Sequence, residues 1–321
     1  MRDRLLTSIQ LVAMFILPCA CFGQVKGTFT LPESVLLFET PLPEAPYEVL
    51  LVVSTTGTVK VSSPPGFAIE SLFTDAALAP GADRVAWGYA LGRDTSVLGV
   101  YSLIDKSWKT YGDFCRNGVG SAVFSPDGTK VAFASKAGFS SGSRPCRDNP
   151  SELQILDMTT GTLTPIPNSG DVWLSARLSW SPDGKHIVSE VNRGAGPDPQ
   201  IVVIDVDSGT GKVIAEGTDP SWSPAGDWIA FEKSKRQKCI LIHPDGTGAR
   251  VARSLAGLLG FGYRAFFQGA VWSPDGEKLL LNEGEGDSGG IDVTILDLAS
   301  GKVITKSRNG PAVFGWVTEK Q

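Results

Sequence analysis

The chain has 321 residues, of which 42% are hydrophobic and 20% charged, an ordinary balance for a folded domain with a sizeable core. Its 34 acidic residues outnumber its 29 basic ones and give a net charge of -5. Binding to nucleic acid as a main activity needs a clustered positive field, so this class of partner is excluded. The two histidines, His186 and His243, and the cysteine spacings match no zinc motif, and we expect neither a metal nor a cofactor.

The N-terminal segment has the three-part layout of a secretory signal: a basic start, an apolar run that ends at Leu17, and a small-residue stretch. We expect 1–23 to be a cleaved signal peptide and 24–321 to form a single domain in the periplasm or outside the cell. One alternative is a membrane anchor that is retained, although the run is short for a membrane span. The other is a lipoprotein attached through Cys21, where Pro18 departs from the usual lipobox.

A short phrase recurs along the chain and indicates internal repeats. Its four copies are Phe124-Ser-Pro-Asp-Gly128, Trp180-Ser-Pro-Asp-Gly184, Trp222-Ser-Pro-Ala-Gly226 and Trp272-Ser-Pro-Asp-Gly276. A degenerate copy around Pro80 precedes them. Successive prolines are about 40 to 60 residues apart, which favours four-stranded propeller blades over shorter helical or leucine-rich repeats.

Each repeat also contains the sequence signals of four strands. Serine and proline suit the first two positions of a type I turn and glycine suits the last, so the phrase predicts a hairpin between two apolar strands. A second pair of strands follows in each repeat, as in Leu153–Asp157 and the stretch after Gly161. The sequence therefore predicts an all-β fold, a six-bladed β-propeller.

The two ends of the chain supply the pieces of one more repeat. Complete repeats cover about 73–308, and we expect the closing blade to combine about 47–70 with about 311–317. Joining strands from both termini removes exposed sheet edges, which otherwise promote aggregation. The alternative is a ring of seven blades, in which residues 25–70 form a blade of their own.

The phrase, the Ile-Leu-Asp strand after it and the Thr-Gly type of turn resemble the WD40-like (PD40) repeats of TolB-type bacterial propellers. The resemblance covers about residues 73–316. It implies a periplasmic or secreted propeller that holds another protein or a small ligand. The segment before the first blade is too short for the separate N-terminal domain of TolB, so membership of the Tol system is not carried over.

Two segments mimic catalytic motifs. Gly286-Asp-Ser-Gly-Gly290 is similar to the nucleophile segment of chymotrypsin-type proteases, but no histidine in a matching context accompanies it. Gly138-Phe-Ser-Ser-Gly142 has the spacing of a hydrolase elbow without a helix after it. We therefore expect no catalytic residues and a protein that is not an enzyme.

The predicted topology puts the long, irregular loops on one face and the Ser-Pro-Asp-Gly turns on the other. Binding residues tend to lie on variable loops held by a rigid scaffold, so we expect the long-loop face to bind. Its candidate residues are an aromatic cluster around one arginine and three further arginines: Tyr263, Arg264, Phe266, Phe267, Arg144, Arg147 and Arg193. Covering the end of the core is the alternative role for the aromatic rings.

The innermost strands contribute few charged side chains. Arg177 is a further candidate binding residue there, and Asp219 is the other charged residue expected near the axis. Cys115 and Cys146 both fall on the long-loop face and are predicted to form a disulfide, which would stabilise the fold by about 3 kcal/mol. Cys239 begins a strand and is expected to be a buried free thiol.

The leading functional hypothesis is an exported propeller that recognises a protein or peptide through the long-loop face or the mouth of its channel. A small-molecule ligand is a further option, and contact with a membrane would occur only through an uncleaved signal segment. The alternative is a propeller enzyme, a hydrolase or lyase, with its site at the central channel.

Overall fold

The computed structural model describes most of the chain from residue 76 to residue 318, and five strands before it. The described residues are 9–10, 28–29, 34–41, 48–54, 57–61, 76–81, 83–91, 95–115, 118–136, 151–170, 172, 176–191, 199–233, 237–255, 265–285, 291–310 and 313–318. Regular structure in these ranges consists of β-strands without any helix. Accordingly, the described residues contain no helix long and apolar enough to cross a membrane.

The described strands form six four-stranded antiparallel sheets, here called sheets I to VI. Sheet I contains β6 (Ala77–Leu78), β7 (Arg84–Leu91), β8 (Thr95–Ser102) and β9 (Ser107–Cys115). Sheet II contains β10 (Val119–Phe124), β11 (Lys130–Lys136), β12 (Ser151–Asp157) and β13 (Leu163–Pro165). Sheet III contains β14 (Ser179–Trp180), β15 (His186–Val191), β16 (Gln200–Asp205) and β17 (Gly211–Glu216).

The remaining sheets follow the same pattern. Sheet IV contains β18 (Thr218–Trp222), β19 (Ile229–Lys233), β20 (Lys238–Ile242) and β21 (Arg250–Ser254). Sheet V contains β22 (Ala265–Trp272), β23 (Lys278–Glu285), β24 (Ile291–Asp297) and β25 (Val303–Gly310). Sheet VI contains β26 (Val313–Thr318), β3 (Ser34–Pro41), β4 (Glu48–Ser54) and β5 (Gly57–Val61). A separate ribbon pairs β1 (Ile9–Gln10) with β2 (Thr28–Phe29).

Sheet VI combines strands from both ends of the chain. Its first strand, β26, pairs antiparallel with β3, so that Trp316 lies opposite Leu36. The N-terminal contribution begins at Ser34, earlier than the predicted start at about residue 47. The sequence boundary misses β3 because no Ser-Pro-Asp-Gly phrase precedes β4 to mark the strand before it. Residues 34–61 supply three strands to this one sheet.

The Ser-Pro-Asp-Gly phrase forms the turn between the first and second strands, and its side chains close the turn internally. In sheet II, the Ser125 hydroxyl donates to Asp127 Oδ1 at 2.6 Å and accepts from the Lys130 amide at 2.9 Å. Gly128 has a φ of 70° and donates its amide to the Ser125 carbonyl. A side chain there would be strained because left-handed backbone favours glycine. Sheets III and V repeat these bonds.

The hydrophobic core lies between neighbouring sheets rather than at one centre. Four clusters of buried side chains join sheets I and II, II and III, III and IV, and IV and V. The first strands of consecutive sheets touch in the order β6, β10, β14, β18, β22 and β26, and β26 also contacts β6. The first strand of each sheet is therefore its inner edge, and the fourth strand is its outer edge.

The repeated tryptophans fasten one sheet to the next. The Trp180 indole N–H donates to the Val123 carbonyl of sheet II at 3.2 Å, and Trp272 donates to the Ser221 carbonyl of sheet IV at 3.0 Å. In sheet IV the Trp222 side chain instead bonds the Gly226 carbonyl of its own turn. Because these rings are buried between sheets, they pack the fold and are not available as an aromatic cage for a ligand.

Candidate functional site

The strand order separates two faces, as predicted. Every first-to-second and third-to-fourth strand connection in sheets II to V is a short turn at one face, here called the turn face. The ends of the second strands and the starts of the third strands lie at the other face, here called the long-loop face. Most second-to-third connections and links between sheets fall outside the described residues, including 137–150, 192–198, 256–264 and 286–290. What the structure describes of the long-loop face is therefore the set of strand ends beneath it.

Most predicted binding residues lie outside the described residues: Arg144, Arg147, Arg193, Tyr263 and Arg264. Phe266 belongs to β22, but its side chain is not described. Phe267 is fully buried and packs with Leu279 and Leu281 in the core between sheets IV and V. The prediction of a binding role for Phe267 is therefore wrong. Its ring is part of the core, in line with the alternative role proposed for the aromatic rings.

Arg177 precedes the first strand of sheet III, and Asp219 lies in the first strand of sheet IV. Both occupy the position three residues before the strand-ending tryptophan of their repeats, and both are half-buried. Gly269 holds the same position in sheet V, and a methyl group added there would lie 1.9 Å from Nη1 of Arg177. The guanidinium of Arg177, two residues before sheet III, thus contacts β22 of sheet V. Because Gly269 has no side chain, it leaves room for this guanidinium.

Two buried glutamates join this region from the second strands. Glu190, 5% exposed, is the penultimate residue of β15 and accepts the Asp219 amide through Oε2 at 3.0 Å. Glu232, 2% exposed, is the penultimate residue of β19 and accepts the Gly269 amide through Oε1. Each carboxylate therefore binds the backbone of the following sheet's inner strand. We call Arg177, Asp219, Gly269, Glu190 and Glu232 the inner polar cluster.

The backbone explains why a carboxylate is needed at these points. Asp219 and Gly269 have φ values of 53° and 86°, and each sits in an irregularity of the pairing between the first and second strands. A residue in left-handed conformation turns its amide out of the ladder, so the amide needs another acceptor. The glutamate of the preceding sheet supplies it.

The sequence contains a signal for these glutamates that inspection of the innermost strands alone misses. Glu190 and Glu232 both stand eight residues after the proline of their turn phrase, within an otherwise apolar strand, and Asn282 holds that position in sheet V. A charged residue that recurs at one position of a buried strand indicates a shared partner. The acids of this region therefore come from second strands as well as first strands.

The cluster combines one guanidinium with three carboxylates at the long-loop end of the inner strands. Since Glu190 and Glu232 each accept a backbone amide, they are held as hydrogen-bond acceptors rather than presented as free bases. Within the described part of the chain, no group of three or more histidine, cysteine, aspartate or glutamate side chains is arranged to hold a metal ion. Arg177 and Asp219 are the partly exposed members of the cluster, whereas Gly269, Glu190 and Glu232 are buried.

The cysteines fall into two environments. Cys115, at the end of β9, is disulfide-bonded, and Cys146 lies outside the described residues, so their pairing stays a prediction. Cys239 is a free thiol, 1% exposed, in β20. Burial, together with the nearby Glu232, raises the pKa of the Cys239 thiol far above its ordinary value. This thiol is therefore protonated and inert near neutral pH.

Comparison with solved structures identifies the fold. TolB from Acinetobacter baumannii superposes with a TM-score of 0.63 at 17% identity, over 88% of this chain and 66% of TolB. The chain has the fold of a TolB-type β-propeller. A propeller in a nidogen/laminin complex is similar with a TM-score of 0.60 at 14% identity, over 88% of this chain and 97% of that one.

A propeller enzyme is also among the similar structures. An oligogalacturonate lyase in complex with manganese superposes on this TolB-type propeller with a TM-score of 0.52 at 15% identity, over 85% of this chain and 73% of the lyase. No protein-family model matches the sequence, and neither does any curated protein. At these identities the likeness concerns the fold, which serves both binding proteins and enzymes.

Proposed function

We propose that this chain is an exported, six-bladed propeller that binds a protein or peptide through its long-loop face. Six four-stranded sheets whose inner strands touch in succession, with β26 contacting both β22 and β6, support a ring closed by both termini. The signal-like segment 1–23 supports export to the periplasm or beyond. The similarity in fold to TolB and to a propeller in a nidogen/laminin complex supports a protein partner.

The observation that carries the choice of face is the difference between the two ends of the inner strands. At the turn face, the Ser-Pro-Asp-Gly side chains bond to one another and to their own backbone. At the long-loop face, the inner polar cluster includes Arg177 and Asp219, both partly exposed, which supports this face as the one that binds. A partner would therefore meet charged groups at the long-loop face. At the turn face it would meet turns whose polar side chains already form hydrogen bonds within the turn.

The test compares the two faces in one capture experiment. The mature chain from Gln24 is immobilised and exposed to an envelope extract of the source cell. A long-loop variant carries Tyr263→Ala, Arg264→Ala and Phe266→Ala. A matched turn-face variant carries alanine at three exposed positions, Thr129, Lys185 and Glu277. Circular dichroism verifies that all three proteins are folded.

We expect a partner, identified by mass spectrometry, that binds the parent and the turn-face variant and is lost from the long-loop variant. The reverse pattern would move the binding surface to the turn face. Capture of nothing above the background of a blank matrix would contradict the protein-binding proposal.

An enzyme at the channel is the second candidate, and one observation favours it: Arg177, Glu190 and Glu232 all contact the backbone of inner strands in sheets IV and V. Since the similar lyase was solved with manganese, calorimetric titration with Mn²⁺ is the direct test. A bound ion that is lost in the Asp219→Asn variant would favour the enzyme. Heat of dilution only, in both proteins, would favour the binding protein.

A further inference from the structure

An open groove lies at the outer rim between sheets III and IV. It has a volume of about 280 Å³ and is lined by Ile214 and Ala215 of β17, by the β21 side of sheet IV, and by a floor of Phe231, Ile240 and Ile242. Nearby, Val213 and Val251 are 48% and 56% exposed. Valine side chains at the rim of this junction are therefore exposed, and no described residue covers them. We call this groove the III–IV groove.

The equivalent space between sheets I and II is filled by the chain itself. Phe133 and Phe231 occupy the same position of the second strand, seven residues after the turn proline, and both face the preceding sheet. Phe133 is covered by Phe114, whose ring centroid lies 5.5 Å away in an edge contact, and Tyr111 belongs to the same buried cluster.

The register of the outer strands locates the difference at one residue. Tyr111 pairs with Leu98 in sheet I, and Ala215 pairs with Ile201 in sheet III, at equivalent points of the two ladders. Tyr111 is 7% exposed and packs in the core. An alanine in its place leaves out a whole aromatic ring, and Ala215 is one of the residues that line the III–IV groove.

Sheet IV is closed against β17 at the turn-face end of the groove and open elsewhere. Lys212 of β17 donates to the Asp245 carbonyl at 3.0 Å, and a methyl group at Gly246 would lie 3.4 Å from the Ile214 carbonyl oxygen. Beyond this contact the groove opens along the outer edge strand β21, whose outward backbone groups face no further strand of its sheet.

The charges at the groove are positive in a protein that is acidic overall. Lys233 and Arg250 line it, and no acidic side chain stands among its described lining residues. Arg250 lies over the Trp228 ring, 4.8 Å from its centroid, and Trp228 stacks on His243 at 3.9 Å. At the corresponding points of sheets II, III and V, a lysine or histidine faces an aspartate instead. Glu216, at the end of β17, is an exposed acid on the same strand but not part of the lining.

We propose that the III–IV groove binds an extended, acidic segment of a partner protein that carries one aromatic or large aliphatic side chain. That side chain would take the place that Tyr111 fills between sheets I and II. The flanking carboxylates would pair with Lys233 and Arg250, and the segment's backbone would run along edge strand β21, as in other additions of a peptide to a sheet edge. This site is separate from the long-loop face.

The experiment uses the mature chain and defined peptides, followed by fluorescence anisotropy. The probe is a labelled peptide of sequence Gly-Glu-Asp-Phe-Asp-Glu-Gly. One control peptide has serine in place of phenylalanine, and a second has glutamine and asparagine in place of the acids. The blocking variant is Ala215→Tyr, which copies the filled junction. Lys233→Gln tests the charge, and Lys302→Gln, an exposed lysine of sheet V, is its matched control.

We expect the probe to bind with a Kd below about 1 mM, and both control peptides to bind more weakly. Ala215→Tyr should weaken binding about tenfold and Lys233→Gln about threefold, whereas Lys302→Gln should have no effect. The long-loop variant should bind the probe normally, which separates this inference from the proposed function.

Three results would overturn the proposal. One is no binding up to about 1 mM, and another is binding that Ala215→Tyr leaves unchanged in a protein that circular dichroism shows to be folded. The third is binding of dodecanoate, but not of the peptide, that Ala215→Tyr abolishes, since the groove would then take an aliphatic anion rather than a protein segment.

Discussion

The junction between sheets I and II and the junction between sheets III and IV use the same strand geometry in opposite ways. At the inner end of the first, Gly88 lets the sheets approach so closely that an added methyl would lie 2.9 Å from Val119. At the equivalent position of the second, Glu190 spans the gap with a hydrogen bond to the Asp219 amide.

The outer ends of the two junctions also differ in how closely they are packed. Tyr111 and Phe114 are buried in the first junction, whereas the second has a groove of about 280 Å³. One junction is closed by direct packing along its length. The other is bridged by a hydrogen bond at its inner end and has a groove at its outer end. The comparison shows that two junctions of one repeated scaffold can be held by different interactions, direct packing in one and a side-chain hydrogen bond in the other.

Removal of the ring that fills the first junction should have the largest effect. Tyr111→Ala should lower the free energy of unfolding by about 3 kcal/mol, since it removes a buried aromatic side chain and leaves a cavity. Urea denaturation followed by tryptophan fluorescence measures the change. Val213→Ala, on the exposed rim of the open junction, is the control and should change stability by less than about 0.5 kcal/mol. Equal effects at the two sites would refute the distinction between the junctions.

Loss of the polar contact in the second junction should rank next. Glu190→Ala leaves the Asp219 amide without the carboxylate acceptor, which should cost about 2 kcal/mol. Glu190→Gln keeps an acceptor oxygen and should cost less than about 1 kcal/mol. The same denaturation series measures both variants. If glutamine proves as destabilising as alanine, the carboxylate's charge rather than its hydrogen bond holds the junction.

Filling the open junction should have a smaller effect of opposite sign. Ala215→Tyr places a ring against the apolar floor of the groove and should stabilise the fold by about 1 kcal/mol through apolar burial. The melting temperature should rise, as measured by calorimetry. A fall in stability would show that the groove cannot accept an aromatic side chain, which would contradict both the comparison and the proposed occupant.

The smallest effect concerns acid stability at the turns, where sheet II has Asp127 and sheet IV has Ala225. Hydrogen bonds from the Ser125 hydroxyl and from Thr129 lower the pKa of Asp127 from 3.8 to about 2. Because the folded state holds the ionised form, this group stabilises the fold above its ordinary pKa, and the contribution is lost as the pH falls from about 4 to 2. Asp127→Ala should therefore flatten the decline in melting temperature over that range.

The reciprocal change tests the same point in the other sheet. In sheet IV the Ser223 hydroxyl bonds to Asp227 instead, at 3.0 Å, so the missing turn carboxylate is replaced two residues later. Ala225→Asp should add acid sensitivity of the same sign. Parallel pH profiles for the parent and both variants would show that these turn carboxylates contribute nothing to acid stability.

The sequence by itself determined the repeat and the turn. Three copies of Ser-Pro-Asp-Gly and one of Ser-Pro-Ala-Gly suffice because a turn is a local structure: the serine, aspartate and glycine interact with their own neighbours in the chain. The hairpins Phe124 to Val131 and Trp272 to Leu279 follow directly. The predicted start of the N-terminal contribution failed at β3, where no turn phrase marks the strand.

The tertiary structure alone decided which side chains meet across the sheets. The contact of Arg177 with Gly269, the bonds of Glu190 and Glu232 to neighbouring strands, and the burial of Phe267 join residues tens of positions apart. The III–IV groove depends likewise on an alanine in one sheet lying opposite a phenylalanine in the next. Such contacts depend on how sheets are placed relative to one another, and a pattern within one repeat carries no information about its neighbour.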